Sequence, residues 1–165
     1  MAQKETDRVD RIVAQWNRER PELDVAPMAL LGRLKRLQIH IAQAMEKTWS
    51  RYGLNGAAFD VLATLRRSGP PFRLSPGDLL AATMVTSGTM THRIDQLVKS
   101  GLVARTPNPA DGRGFLISLT DEGLRVIEEA VTAHVETQQG MVAGLSQTER
   151  EDLDRLLKTY LATFE

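Results

Sequence analysis

The feature that most constrains this chain is a double change of hydrophobic period between residues 86 and 131. In "TSGTMTHRIDQLVKSGLV", Met90, Ile94, Leu97 and Val98 recur at helical spacing, and Gly101 supplies the left-handed position on which such a helix ends. "LVARTP", the loop "NPADGRG" and "FLISLT" follow, and in the last of these Phe115, Ile117 and Leu119 alternate with smaller or polar residues. That pattern predicts a β-hairpin with a long tip. Thr120 then caps a new helix from Asp121, with Leu124, Ile127, Val131, Val135 and Val142 on one side.

Helix signals dominate elsewhere. "ETDRVDRIVAQWNRER" places Val9, Ile12, Val13 and Trp16 at helical spacing and stops before Pro21. Leu30, Leu34, Leu37, Ile41, Met45 and Trp49 form the stripe of a long helix reaching about Tyr52. Asn55 is an N-cap for a helix ending near Gly69, "LSPGDLLAATM" reads as a brief helix with Pro76 in its first turn, and Ser146 with Glu149 makes a capping box for the last helix. Helix, short helix, helix, hairpin is the order of a winged helix-turn-helix. The fold expected is mainly α with a small β-hairpin wing, framed by long N- and C-terminal dimerisation helices. The divisions expected are N-terminal helices over 1–52, a DNA-binding lobe over 53–119 and C-terminal dimerisation helices over 120–165. The end helices carry more apolar face than one small domain needs, which predicts a homodimer; the alternative is a monomeric helical domain.

Composition narrows the function. Formal charge is zero, but residues 119–165 hold ten acidic and four basic side chains, whereas 83–118 hold four basic and two acidic. A mildly basic working surface is thus set against an acidic body. The chain has no cysteine and hence no disulfide or thiolate metal site, and His40, His92 and His134 show no ligand spacing, so neither a metal nor a cofactor is expected. There is no Ser/His/Asp grouping at motif spacing and no Gly-rich phosphate loop, which argues against an enzyme. No apolar run approaches the ~20 residues of a membrane span, and the N-terminus is charged where a signal peptide is apolar. A cytoplasmic protein without membrane association is expected.

At about 100° per residue, the helix opposite Met90, Ile94 and Leu97 shows Thr89, His92, Gln96 and Lys99. These side chains donate and accept hydrogen bonds without dense charge, which suits base edges in a major groove. Thr86 and Ser87 at the helix start can add phosphate contacts. The alternative is an ordinary solvated face. Arg113, between Gly112 and Gly114, can approach a minor groove, with Asp111 either aiming it or forming a simple Asp-Gly turn. Arg93 sits at the edge of the apolar stripe, where it can contact another lobe.

From about Ala29 to Phe164 the sequence resembles the MarR family of winged-helix transcription regulators. The resemblance is most specific in "SGTMTHRIDQLVKSGLVARTPNPADGRGFLISLTDEG", through Gly101 to Val103, Asp111 with Arg113, and Leu119 to Gly123. The family commonly has a second arginine after the wing aspartate, where this chain has Gly112. The resemblance implies a homodimer on a pseudo-palindromic double-stranded DNA operator, acting as a repressor and weakened in its DNA binding by a small molecule, often an anionic aromatic.

Four residues sharpen it. The urate-responsive, PecS-type branch has an added N-terminal helix with a tryptophan, an aspartate and an arginine seven residues apart, and an arginine on the recognition helix. Trp16, Asp60, Arg67 and Arg93 match those types. The resemblance implies that they bind urate or a related purine, with Asp60 as sensor and Arg93 as relay. An aromatic face and guanidiniums suit an anionic purine. Each has a structural alternative: Trp16 as an anchor of its helix, Arg67 as helix-end charge, Asp60 as partner of a nearby arginine. Arg33 is a further candidate to face the pocket, though its spacing does not require it. The alternatives in function are a sensor of a phenolic or carboxylate metabolite and a non-specific architectural DNA-binding protein.

Overall fold

The computed structural model describes residues 6–83, 90–109 and 111–165, with 111–113 described by backbone alone. Thr86, Ser87 and Thr89, and with them the expected start of the recognition helix, lie outside the described residues. The elements run α1 (Arg8–Glu19), α2 (Ala26–Ser50), α3 (Gly56–Arg67), β1 (Arg73–Leu74), α4 (Pro76–Ala82), α5 (Met90–Lys99), β2 (Val103–Asn108), β3 (Asp111–Leu119), α6 (Asp121–Val142) and α7 (Gln147–Leu161). The chain divides into two compact units, Met1–Ala44 and Met45–Glu165. Among the described residues no helix is long and apolar enough to cross a membrane.

In the first unit, Asp7 and Asp10 open α1 with a capping box, and Val9 is the one buried residue of that helix. In the second unit, the caps expected at Asn55, Ser146 and Thr120 are formed, and Ser75 caps α4. Leu62 and Leu65 from α3, Leu79 from α4, Ile117 from β3 and Ile127 from α6 are fully buried in one core. Leu54 and Phe59, and Met90, Ile94 and Leu97 of α5, close around them.

The hairpin differs from expectation in two respects. Its tip is short: β3 begins at Asp111, and Asn108 pairs with Asp111, so most of "NPADGRG" belongs to strands. A register irregularity between Pro107 and Asn108 takes up the extra residues on β3, a bulge that glycine-rich sequence hides from a simple alternation rule. The sheet also has a third strand. β1 pairs antiparallel with β3, Arg73 opposite Ser118 and Leu74 opposite Ile117, giving the order β1-β3-β2. Two residues are too few to show a period. On α6, Ile127 is buried, but Val135 and Val142 are exposed and Val126, Ala130 and Ala133 complete the buried face.

One junction joins α5, the hairpin and α6. Gly101 has φ +74° and turns the chain out of α5. The Leu102 carbonyl accepts the backbone N–H of Thr120 at 3.1 Å, while the Thr120 hydroxyl donates to the Gly101 carbonyl at 2.7 Å and accepts the N–H of Gly123 at 2.9 Å. A methyl group at Gly123 would stand 1.9 Å from the Leu102 oxygen. Gly123→Ala should therefore cost about 3 kcal/mol, whereas Thr120→Ala should cost about 1 kcal/mol as a lost cap. Denaturant unfolding measures both; a Gly123→Ala loss no larger than that of Thr120→Ala would remove the steric explanation.

Candidate nucleic-acid interface and ligand-binding residues

The core sets the orientation of α5. With Met90, Ile94 and Leu97 buried, His92, Gln96 and Lys99 are exposed together on the other side. Lys99 lies in the last turn, where a cation suits the helix dipole. Arg105 of β2 donates to the Asp95 carboxylate of α5, and its guanidinium lies 5.2 Å from the Phe115 ring centroid. The wing is thereby tied to the helix by an ion pair and a cation–π contact. Sequence reasoning missed this trio, although the hairpin register carries its signal: Arg105 faces Ile117, so Phe115 is its diagonal neighbour on the same face. Asp111 and Arg113 both lie on β3, at the end of the hairpin.

Arg93 is half-buried, and its Nη1 is fully covered with no hydrogen-bond partner among the described residues. It lines a cleft of about 430 Å³ together with His92 and Gln96 and with Asn55, Ala57 and Ala58 at the start of α3. A covered guanidinium nitrogen without an acceptor is costly, and an acceptor entering that cleft would offset the cost.

The other proposed ligand residues are placed differently. Asp60 is half-buried on α3, and Arg67, two turns along the same helix and so ~10 Å away along its axis, is exposed. Arg67 Nη2 donates to the carbonyl of Ala82, the last residue of α4, so its guanidinium closes a helix end other than its own. Neither Asp60 nor Arg67 lines the cleft around Arg93. Trp16 belongs to α1 of the first unit and is 42% exposed. Arg33 is engaged by Asp7 and Asp10.

A second feature missed in the sequence is an aromatic stack. Trp49, Phe59 and His134 form a stack, with ring centroids 4.9 Å apart for Trp49 and Phe59 and 4.7 Å for Phe59 and His134. Trp49 Nε1–H donates to His134 Nδ1 at 3.3 Å. Gly56 lets the indole lie close, since a methyl there would be 2.8 Å from it. Burial pushes the His134 imidazole below its ordinary value.

A family model described as the MarR family matches residues 52–114. The chain is 42% identical over 149 residues, 90% of each protein, to the HTH-type transcriptional regulator PecS of Dickeya dadantii. Among solved structures, a mutant MarR from E. coli complexed with operator DNA superimposes with a TM-score of 0.70 at 28% identity, covering 88% of this chain and 97% of that one. BpsR of Bordetella bronchiseptica, described as regulated in its DNA binding by 6-hydroxynicotinic acid, gives 0.68 at 29% identity over 78% and 90%. The relatives named here are transcriptional regulators, not enzymes.

His134 carries a pH prediction. Its folded-state pKa is lowered, so the unfolded chain binds the proton more readily. The contribution to stability is complete above the ordinary value of 6.5 and is lost as pH falls below it toward the folded value. Unfolding measured between pH 7.5 and 5 should show that loss, reduced in His134→Gln; an unchanged slope would assign it to another group.

Proposed function

The chain belongs to the MarR family of transcriptional regulators, and from that premise we propose that it binds a pseudo-palindromic operator as a homodimer and is released by a small anionic aromatic ligand, urate or a related purine. The observation that carries the DNA half is the division of α5 into a buried face of Met90, Ile94 and Leu97 and an exposed face with His92 and Gln96. Those two side chains read base edges, as does Thr89; Thr86 and Ser87 hold phosphates, and Arg113, aimed by Asp111, enters the minor groove. The MarR structure on operator DNA supports this use of the fold. Residues 53–119 are the reading lobe, and 1–52 with 120–165 supply the dimer. The exposed Leu156, Leu161 and Phe164 near the C-terminus suit a second copy.

For the ligand, the support is the match of Trp16, Asp60, Arg67 and Arg93 to the urate-responsive pattern, together with 42% identity to PecS. The covered Nη1 of Arg93 suits an anionic acceptor, and Asp60 senses ligand charge. A second reading, a carboxylate metabolite, is favoured by BpsR and its 6-hydroxynicotinic acid.

Binding to an operator obtained by site selection, and to random DNA, should be followed by anisotropy across a salt series. Arg113→Ala should weaken both and reduce the salt slope by about one, whereas Gln96→Ala should change preference at one base pair by about 1–3 kcal/mol. Uniform loss in Gln96→Ala would reject the assignment of that face. Urate should release the operator and Asp60→Asn should blunt the response; release by 6-hydroxynicotinate but not by urate would replace the purine with a carboxylate.

A further inference from the structure

The first unit contains an arrangement that operator reading does not use. Asp7 Oδ1 accepts the backbone N–H of Val9 at 2.7 Å and of Asp10 at 2.9 Å, while its Oδ2 accepts Arg33 Nε from α2 at 2.9 Å. Asp10 Oδ2 accepts the N–H of Asp7 at 3.1 Å, while its Oδ1 accepts Arg33 Nη2 at 2.6 Å. All four carboxylate oxygens at the helix start are therefore used, one from each residue to form α1 and one from each to hold it on α2. The Asp7 carboxyl is held below its usual range, first by the Asp10 N–H and next by the Arg33 guanidinium.

Little else fastens this helix within its unit. α1 has 12 residues, with Val9 alone buried, and a free helix of that length is marginal in water. Val9 sits against Gly32 of α2, where a methyl would be 3.2 Å from its Cγ1. Trp16 stands two turns beyond Val9 on the same side, ~10 Å along the axis. The direction of α1 from its anchored end thus sets where that ring lies.

We propose that Arg33 is a positioning residue, which joins the α1 capping box to α2 so that the helix forms and docks in one step, and thereby presents the Trp16 ring to the ligand. Only the final clause rests on the ligand reading above. An arginine is required because its planar fork reaches two carboxylates at once, which a lysine ammonium does not reproduce.

Hydrogen exchange across residues 8–19 of the full chain, alongside urate-driven operator release, tests this in wild type, Arg33→Ala, Arg33→Lys and Asp10→Asn. Exchange in α1 should accelerate about tenfold in Arg33→Ala, with a smaller rise in Arg33→Lys and in Asp10→Asn, while α3 stays at the wild-type rate. Operator affinity should hold and the urate half-point should rise several-fold. Wild-type exchange of α1 in Arg33→Ala would overturn the proposal. Faster exchange with an unchanged urate response would overturn the presentation of Trp16. Faster exchange in a protein whose wild type ignores urate would support the docking role and reject the ligand reading instead.

Discussion

The crossing of the Gly101–Leu102 turn over the start of α6 is the constraint on which the second unit depends. Two helix ends and a strand start meet there, each with backbone groups that would otherwise lack partners. The Leu102 carbonyl and the Thr120 hydroxyl satisfy them together, at 3.1 Å and 2.7 Å. Contact this close leaves no volume for a side chain at Gly123. The direction of α5, the exit of β2 and the entry of α6 are consequently one geometric unit.

From that junction follows what the protein can present. α5 turns its apolar side into the core, so His92 and Gln96 face outward without any further device. The ion pair of Arg105 with Asp95 and the packing of Arg105 on Phe115 then carry the hairpin with the helix. Arg93, between the two faces, has its guanidinium partly covered beside the start of α3.

Much of this was legible in residue order because caps and periods are local. Asn55, Thr120 and Ser146 accept the backbone amides three residues on that their types predict, and Gly101 takes the positive φ that its place after "KS" demands. The hairpin tip was overestimated because its glycines permit a bulged strand as readily as a loop. β1 went unseen because a two-residue strand is defined by its partner on β3. The Trp49, Phe59 and His134 stack joins two neighbouring helices to a residue far along the chain, and nothing near His134 announces the other two.

The candidate site divides along the same line. Resemblance to the urate-responsive branch nominated Trp16, Asp60, Arg67 and Arg93, and an aromatic face with guanidiniums suits the anionic heterocycle that the resemblance implies. What each guanidinium actually holds was decided by folding: Arg67 the carbonyl of Ala82, Arg33 the two aspartates of α1, and Arg93 a cleft in which one nitrogen has no partner among the described residues. By itself the sequence determined the order of the helices and the hairpin, the caps at Asn55, Thr120 and Ser146 and the buried face of α5, because hydrophobic period and backbone capping act over a few residues. Only the tertiary structure decided the partners of the charged side chains, the third strand and the reason for Gly123, because those depend on distances between segments that no local pattern encodes.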